Sequence, residues 1–506
     1  MREDRRKEMK DEKGKIKALL VYPEYPDTFW SFSYTLKQFT TEKAAFPPLG
    51  LMTVGAMLPQ DWNLKLIDMN VKELLDVHIE WADIVFVSAM LAQAESAQNV
   101  IWRCKEFGKK VVVGGPAFTA CHEQFFGFDH VISGEAEDTL PLFLKDLEKG
   151  SAKKIYASLK KPDITETPIP LWPLINFADY ATMPLQFSRG CPFNCEFCDI
   201  IVMYGRIQRA KTPGQTIREF QSLFEAGWRG SVFVVDDNLI GNIKKVKEML
   251  RWLVEWQKQR RYPFKLITEA SVNLADDADL LGLMAKANFH EVFVGIETVS
   301  ESSLKECGKK QNLGRSLTKA VRTIHQHGLQ VMGGFIFGFD HDDPGKVFGE
   351  MTEFIQKTGV VVAMAGLLNA LPGTRLWRRL EKEGRVTEGI SRGENTDGDT
   401  NIEPLMGKEK LIGGYKDLIS VIYSPRMYYA RIDAMLRDLR PVAHGRLSMR
   451  EIKIFLKSLW KIGVLARDRR FFFWKTLLSS GRKFSVVIKL AVFGEHLLKF
   501  AEKFRD

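Results

Sequence analysis

Residues 188–198 read SRGCPFNCEFC, which sets Cys191, Cys195 and Cys198 in a C-x3-C-x2-C loop directly behind the apolar run Leu185–Ser188. Three thiols so close in sequence either converge on one metal centre or stay reduced and idle. A structural zinc site asks for four ligands, and no further Cys or His lies nearby. A four-iron cluster normally takes four thiolates, so three leave one iron open to chelate a small molecule. Downstream of the loop, apolar runs at Ser231–Asp236, Phe264–Glu269, Glu291–Ile296, Gln330–Phe337 and Val361–Asn369 each follow a helical stretch. With Leu185–Ser188 they predict a partial (β/α)6 TIM-like barrel, whose chemistry sits at the strand C-termini.

Upstream, Ile16–Tyr22, Leu64–Asp68, Ile84–Ser88, Lys110–Gly114 and His130–Ser133 read as short buried strands, with a helix over Leu49–Leu58. Such runs alternating with helices predict a doubly wound, parallel α/β domain. At 506 residues, several domains are expected. The expected division is a charged tail (1–15), a Rossmann-like α/β domain (16–150), a Pro-rich linker (151–180), the barrel (181–385) and a basic, mainly helical region (386–506). The fold class is therefore α/β with a helical C-terminal region.

The cysteine loop, with Phe197 before its last Cys, on the first loop of a partial barrel, resembles the radical S-adenosylmethionine (SAM) superfamily. The resemblance implies a [4Fe-4S] cluster on Cys191, Cys195 and Cys198, with the methionine end of SAM on the open iron and reductive cleavage to a 5′-deoxyadenosyl radical. Carried over to this chain, the SAM-binding candidates are Phe197, Asp236, Asp237 and Asn238 (VVDDN), Glu269 and Ser271 (TEAS), Glu297 (GIET) and Gly338 (GGFIFGF). The chain departs from many relatives in having VVDDN where a Gly-Gly-Glu is common.

The upstream domain resembles the cobalamin-binding domain that often precedes such a barrel, on PPLGLMTVGAML (47–58), LIDMNV, VSAM, VVVGGP and ISGEAED. The implied cobalamin contacts are Asp68, Asn70, Ser88, Met90, Gln93, Gly114, Gly115, Gly134 and Glu135. Where mutases carry Asp-x-His-x-x-Gly, this chain reads Asp68-Met69-Asn70-Val71-Lys72-Glu73, so cobalamin would have no His ligand from the protein. Gln93 is the candidate beneath the cobalt. Cys104 and Cys121 are expected to be ordinary buried thiols, and two cysteines do not make the second triad of a methylthiotransferase.

From Gly407 to Asp506 there are 22 Lys/Arg against 9 Asp/Glu, a balance of +13 in a chain of net +10, so the rest sums to −3. IYSPRMYYARI (422–432) and RDRRFFFW (467–474) resemble the C-terminal extension of the subgroup that holds the hopanoid C-2 methylases and bacteriochlorophyll side-chain methyltransferases. For this basic stretch an anionic lipid interface or apolar substrate, single-stranded nucleic acid, and a solvated face over a helical cap all stay open, nucleic acid being the least favoured. The N-terminus lacks a signal-peptide core. The apolar run Phe484–Gly494 falls short of the roughly 20 residues of a spanning helix. A cytoplasmic enzyme, with contact at a membrane surface as one option, is the expectation.

The combined resemblance implies a cobalamin-dependent radical SAM methyltransferase. One SAM would methylate cob(I)alamin, and a second would give the radical that abstracts hydrogen from an unactivated carbon, which then takes the methyl. The implied substrate is a small molecule, a hopanoid-like lipid or a tetrapyrrole, and the implied electron donor is of flavodoxin or ferredoxin type. The alternative is a cyclase or rearrangement enzyme without net methyl transfer.

Overall fold

The computed structural model describes residues 16–387, 393–441 and 449–505, so the charged tail 1–15 and parts of 386–506 lie outside the described residues. The chain divides into two compact units. One holds the residues up to Pro26 and Pro47–Phe177, the other Asp27–Phe46 and the chain from Ala178 onward.

In the first unit, β1 (Lys17–Tyr22), β2 (Asn63–Asp68), β3 (Ile84–Ser88), β4 (Lys110–Gly114), β5 (His130–Ile132) and β6 (Ile155–Tyr156) form one sheet in the order β2-β1-β3-β4-β5-β6. All its pairings are parallel. Alternate residues feed two cores, Leu19, Val21, Val85, Val87, Val111 and Val113 on one face and Ala18, Leu20, Phe86 and Val112 on the other. Burial on both faces is why these strands read as unbroken apolar runs. The order reverses between β1 and β3, so the crevice beyond their carboxyl ends is where such a sheet takes a ligand.

The Pro-rich stretch expected as a linker does more than tether. It supplies β6. Its Leu171 N–H donates to Met52 O (3.1 Å), and its Thr167 hydroxyl donates to Glu137 (2.7 Å).

In the second unit, β7 (Thr182–Leu185), β8 (Ser231–Val234), β9 (Lys265–Ala270), β10 (Phe289–Glu297), β11 (Gln330–Phe337) and β12 (Ala363–Leu367) pair in chain order as a parallel sheet. Helices Pro213–Glu225, Ile243–Gln259, Ala278–Lys286, Leu317–Gln326 and Val347–Thr358 connect them. This is the expected six-stranded partial barrel, with one correction at its start. The predicted strand Leu185–Ser188 is broken: β7 ends at Leu185, and Ser188–Arg189 pairs antiparallel with Arg209–Ala210. The break has a cause, because buried Asp236 accepts the Phe187 N–H (2.8 Å) and the Ser188 hydroxyl.

Residues 27–46 join this unit rather than the first. Trp30 donates its indole N–H to Met364 Sδ (3.0 Å) and packs edge-on against Phe293. Phe46 meets Phe233, and Ala44 bridges to Tyr180.

The C-terminal region is helical as expected: Lys408–Ile422, Pro425–Asp438, Met449–Trp460, a wide turn at Lys461–Leu465, Arg470–Ser479 and Phe484–Glu502. Its first helices are bolted to the end of the sheet. The Tyr423 hydroxyl donates to Ala363 O (2.7 Å), and Tyr415 donates to Thr396 O (2.8 Å). Fully buried Arg431 donates to Ile422 O and to Val361 O, its guanidinium 5.3 Å from the Tyr423 ring centre. Among the described residues, no helix is long and apolar enough to cross a membrane.

Candidate active site

The cysteine loop leaves the sheet at Gly190, whose φ of +90° and contacts explain the residue: a Cβ there would lie 2.9 Å from Gly205 O and 3.1 Å from Ile207 O. Cys191 N–H donates to Gly205 O (3.2 Å), closing the loop on the turn that follows the short helix Ile200–Met203. Glu196 anchors the far side. Its N–H donates to Cys307 O (2.8 Å), its O accepts from Leu376 N–H (3.0 Å), and its carboxylate pairs with Arg379 (2.9 Å).

All six cysteines are free thiols, with Cys104 and Cys121 buried as expected. Among the described residues, no set of three His, Cys, Asp or Glu side chains is drawn together tightly enough for one metal ion. What suits the loop to an iron–sulfur group is its donor set. Asn238 Nδ2–H points at Cys191 Sγ (3.6 Å) and Gln311 Nε2–H at Cys195 Sγ (3.8 Å). N–H donors aimed at sulfur are what a thiolate-bound cluster uses to spread its charge. Burial pushes the Cys195 and Cys198 thiols up, an effect the Lys309 ammonium partly opposes at both. Iron would reverse this by holding the thiolates deprotonated.

The ends of β8 and β9 gather carboxylates. Asp236 is buried and already hydrogen-bonded, and burial raises it to about 7. Burial, then the charge of Asp236, raises Asp237 to about 7, and burial, then Asp237 and Asp236, raises Glu269 to about 8. Asp237 Oδ2 is buried with no hydrogen-bond partner. Three coupled carboxylates of this kind resist full ionisation until a cation arrives. SAM carries an ammonium and a sulfonium, so the set fits it. Asn238 ties this cluster to the cysteine loop, its Oδ1 accepting from Ser271 N–H (3.1 Å) while its amide N–H faces Cys191. Gln208, which the sequence reading missed, braces both parts through the Ser188 hydroxyl (2.9 Å) and Asn238 O (2.7 Å).

Glu297 does not join the other carboxylates. It sits at φ +62° and takes buried Lys309 at 2.5 Å. Burial alone would lower Lys309, but Glu297 and the nearby thiols outweigh it and hold the ammonium firmly charged. Neither Lys309 nor Gln311 was legible beforehand, because GKKQN (308–312) reads as a solvated turn. Phe197 faces Phe339 (6.2 Å) and walls an apolar pocket of about 150 Å3 with Ile336, Leu367, Leu368 and Leu371, Asn369 and Asn395 being its polar members. Gly338 lies behind it at φ +109°, its N–H held by Asp342 (3.0 Å).

In the first unit, Ser88 ends β3 at the switch point, with Met90 and Gln93 just beyond it, while Asp68 ends the edge strand β2 beside β1, with Asn70 two residues on. Asp68 Oδ1 accepts from Asn70 N–H (2.9 Å) and Nδ2–H (2.7 Å). Asn70 Oδ1 accepts the Tyr25 N–H (3.0 Å). Gln93 is wholly buried, its amide spent on Met90 N–H (2.8 Å) and Pro23 O (2.5 Å), so it stands here as a brace for the loops. Gly115 has φ +88°, and a Cβ would lie 2.5 Å from Ser88 Oγ, so no other residue fits this crossing of β3 and β4. Gly114 presses on Ile132 O, while Gly134 and Glu135 open onto the helix Ala136–Glu148, Gly134 N–H donating to Thr119 (2.9 Å).

Three family descriptions cover most of the chain: a B12 binding domain over residues 40–144, the radical SAM superfamily over 185–348, and a domain of unknown function over 374–506. The chain is 40% identical to an uncharacterized methyltransferase of Synechocystis sp., over 97% of this chain and 93% of that protein. It is 34% identical to the hopanoid C-2 methylase of Rhodopseudomonas palustris, over 98% and 96%. In fold it is similar to the cobalamin-dependent S-adenosylmethionine radical enzyme OxsB with aqua-cobalamin bound, at a TM-score of 0.64 and 16% identity, covering 97% of this chain and 81% of that one. Near-full-length identity above 30% to a methylase, and matches to both cofactor domains, place this protein: it belongs to the cobalamin-dependent radical SAM methyltransferases, enzymes that work with a [4Fe-4S] cluster, SAM and cobalamin.

Proposed function

We propose that the chain methylates an unactivated carbon of a hopanoid-like polycyclic lipid. The observation that carries the reading is its likeness to hopanoid C-2 methylase, which runs through both cofactor regions and on through the helical C-terminal region. The cofactors supply the methyl group and the radical; the chain's residues hold and orient them. In this reading Cys191, Cys195 and Cys198 bind the cluster, with Asn238 and Gln311 steadying their sulfurs. Asp237 and Glu269 meet the cationic end of SAM, and Asp236, Asn238 and Ser271 fix their positions. Phe197 and Gly338 frame the apolar pocket for the flat adenine. Glu297 acts through Lys309 and not by touching SAM.

By the same reading, Asp68, Asn70, Ser88, Met90, Gly114, Gly115, Gly134 and Glu135 would hold cobalamin in the crevice beyond β1 and β3, with no His ligand from the protein, and Gln93 would brace the loops that border it. The corresponding domains are 16–26 with 47–177 for cobalamin, 27–46 with 178–385 for the radical barrel and 386–506 for the C-terminal region, and a flavodoxin- or ferredoxin-type protein supplies the electrons.

Reconstituted enzyme, given a reductant, SAM, cobalamin and a hopanoid, is expected to release 5′-deoxyadenosine and a product heavier by one CH2. Consumption of the hopanoid without that mass gain would overturn methyl transfer in favour of a cyclisation or rearrangement. Methylation of a tetrapyrrole alone would keep the chemistry and discard the lipid.

A further inference from the structure

The helix Met449–Trp460 is turned the unusual way round. Its water-facing positions are Met449, Ile452, Lys453, Leu456, Lys457 and Trp460, spaced three and four residues apart on one face. Four of the six are large and apolar, Leu456 59% and Trp460 60% exposed. Ser458 on the opposite face is buried, and Glu451 pairs inward with Lys265. An amphipathic helix in a globular protein normally sends its apolar stripe to the core. Here that stripe points outward.

A second helix repeats the arrangement. Arg470–Ser479 exposes Phe471 (70%), Trp474 and Leu478 (78%), with Arg470 and Lys475 beside them. The two faces adjoin, because Trp474 donates its indole N–H to Gly463 O (2.9 Å) in the turn that ends the first helix. Val464 and Leu465, exposed in that same turn, continue the strip between them. Ten of the 26 exposed large apolar side chains in the described residues fall within 449–484. That concentration exceeds what scattered surface residues explain.

The charge is as lopsided as the apolarity. Residues 449–484 contain ten Lys/Arg and two Asp/Glu, a balance of +8. Both acids are engaged, Glu451 with Lys265 and Asp468 with Arg469. Lys453, Lys457, Arg467, Arg470, Lys475 and Arg482 are exposed, flanking the apolar strip. An outward apolar strip rimmed by free cations matches one kind of surface: an anionic bilayer, whose acyl boundary takes the apolar side chains while its headgroups take the Lys and Arg. Since no described helix can span a membrane, the contact is with one leaflet.

We propose that the face formed by Met449–Trp460 and Arg470–Ser479 docks the protein on an anionic lipid surface. The proposal deepens the lipid-methylating reading, since it says where a membrane-resident substrate would be met, yet it stands on the exposed face alone. The test uses the full chain and vesicles, with no SAM, cobalamin or hopanoid, so its outcome is independent of the methylation assay.

The protein is expected to sediment with vesicles of phosphatidylglycerol and phosphatidylcholine in equal parts, and far less with pure phosphatidylcholine. Replacing four exposed anchors together (Leu456→Gln, Trp460→Gln, Phe471→Gln, Leu478→Gln) should lower binding by about a hundredfold, since each withdraws apolar area from the acyl boundary. Lys453→Glu, Lys457→Glu and Lys475→Glu together should lower it by about tenfold or more on the anionic vesicles and change little on pure phosphatidylcholine. All these side chains face water, so both variants should keep the melting temperature of the parent.

Three results would overturn the proposal: no vesicle binding by the folded parent, a dimer in solution that the four-anchor variant converts to monomer without any vesicle binding, or salt-sensitive binding to RNA with none to vesicles.

Discussion

If Glu269 and Asp237 wait for the cation of SAM, binding must release a proton, and affinity must depend on pH in a defined direction. Glu269 sits at about 8 in the free protein, pushed up first by burial and then by Asp237 and Asp236. Only its ionised form attracts a cation. At pH 8 about half of it is ionised and at pH 6 about one hundredth, so SAM should bind about fifty-fold more weakly at pH 6, a loss on the order of 2 kcal/mol. The Glu269→Gln variant removes the titrating group. Its dissociation constant should be about fifty-fold worse than the parent's at pH 8 yet close to it at pH 6. Isothermal titration of the cluster-loaded protein with SAM, in two buffers of different ionisation enthalpy, measures affinity and proton release together. A dissociation constant flat from pH 6 to pH 8 with no proton released would refute the reasoning, as would an unchanged pH dependence in the Gln variant.

The same carboxylate bears on stability without ligand: a folded-state value raised above the ordinary 4.5 means the folded form binds more protons between about 4.5 and 8, so stability falls as pH rises through that window, and Glu269→Gln should melt higher than the parent at pH 8 but not at pH 4. Lys309→Met strands the buried Glu297 carboxylate and should cost about 3–5 kcal/mol in denaturant unfolding, a loss that Glu297→Gln in the same chain largely restores. Gln311→Leu withdraws the N–H that faces Cys195 Sγ and should make the cluster's reduction potential more negative, on the order of tens of millivolts, in an EPR-monitored titration. Gly115→Ala forces a Cβ to 2.5 Å from Ser88 Oγ at a left-handed φ and should cost about 2 kcal/mol or more, seen as a lower melting temperature and weaker cobalamin uptake.

What the sequence determined by itself was whatever depends on neighbours along the chain. Cys191, Cys195 and Cys198 share one short loop, so their chemistry was legible from spacing. Apart from the two-residue β6 inside the stretch expected as a linker, the strands of both sheets were legible because parallel strands, buried on two faces, must be unbroken apolar runs. Their boundaries held to within a few residues, except where Asp236 reaches across from β8 to take the Phe187 N–H and ends β7 early. The tertiary structure alone decided matters between distant positions. Glu297, one of several carboxylates at strand ends, is set apart from Asp237 and Glu269 by Lys309, which nothing in its own turn announces. Gln93, a candidate ligand by position, has its amide spent on Pro23 and Met90. Trp30 and Phe46 line the radical barrel although they precede it by some 140 residues or more, because a chain segment packs wherever its side chains find partners.

The helix Met449–Trp460 makes the division plainest. Its spacing of apolar residues announces a helix with two faces, but periodicity carries no sign, and only the packed structure shows the apolar face turned to water. Burial is a property of what surrounds a residue, and a linear sequence records the residue without its surroundings.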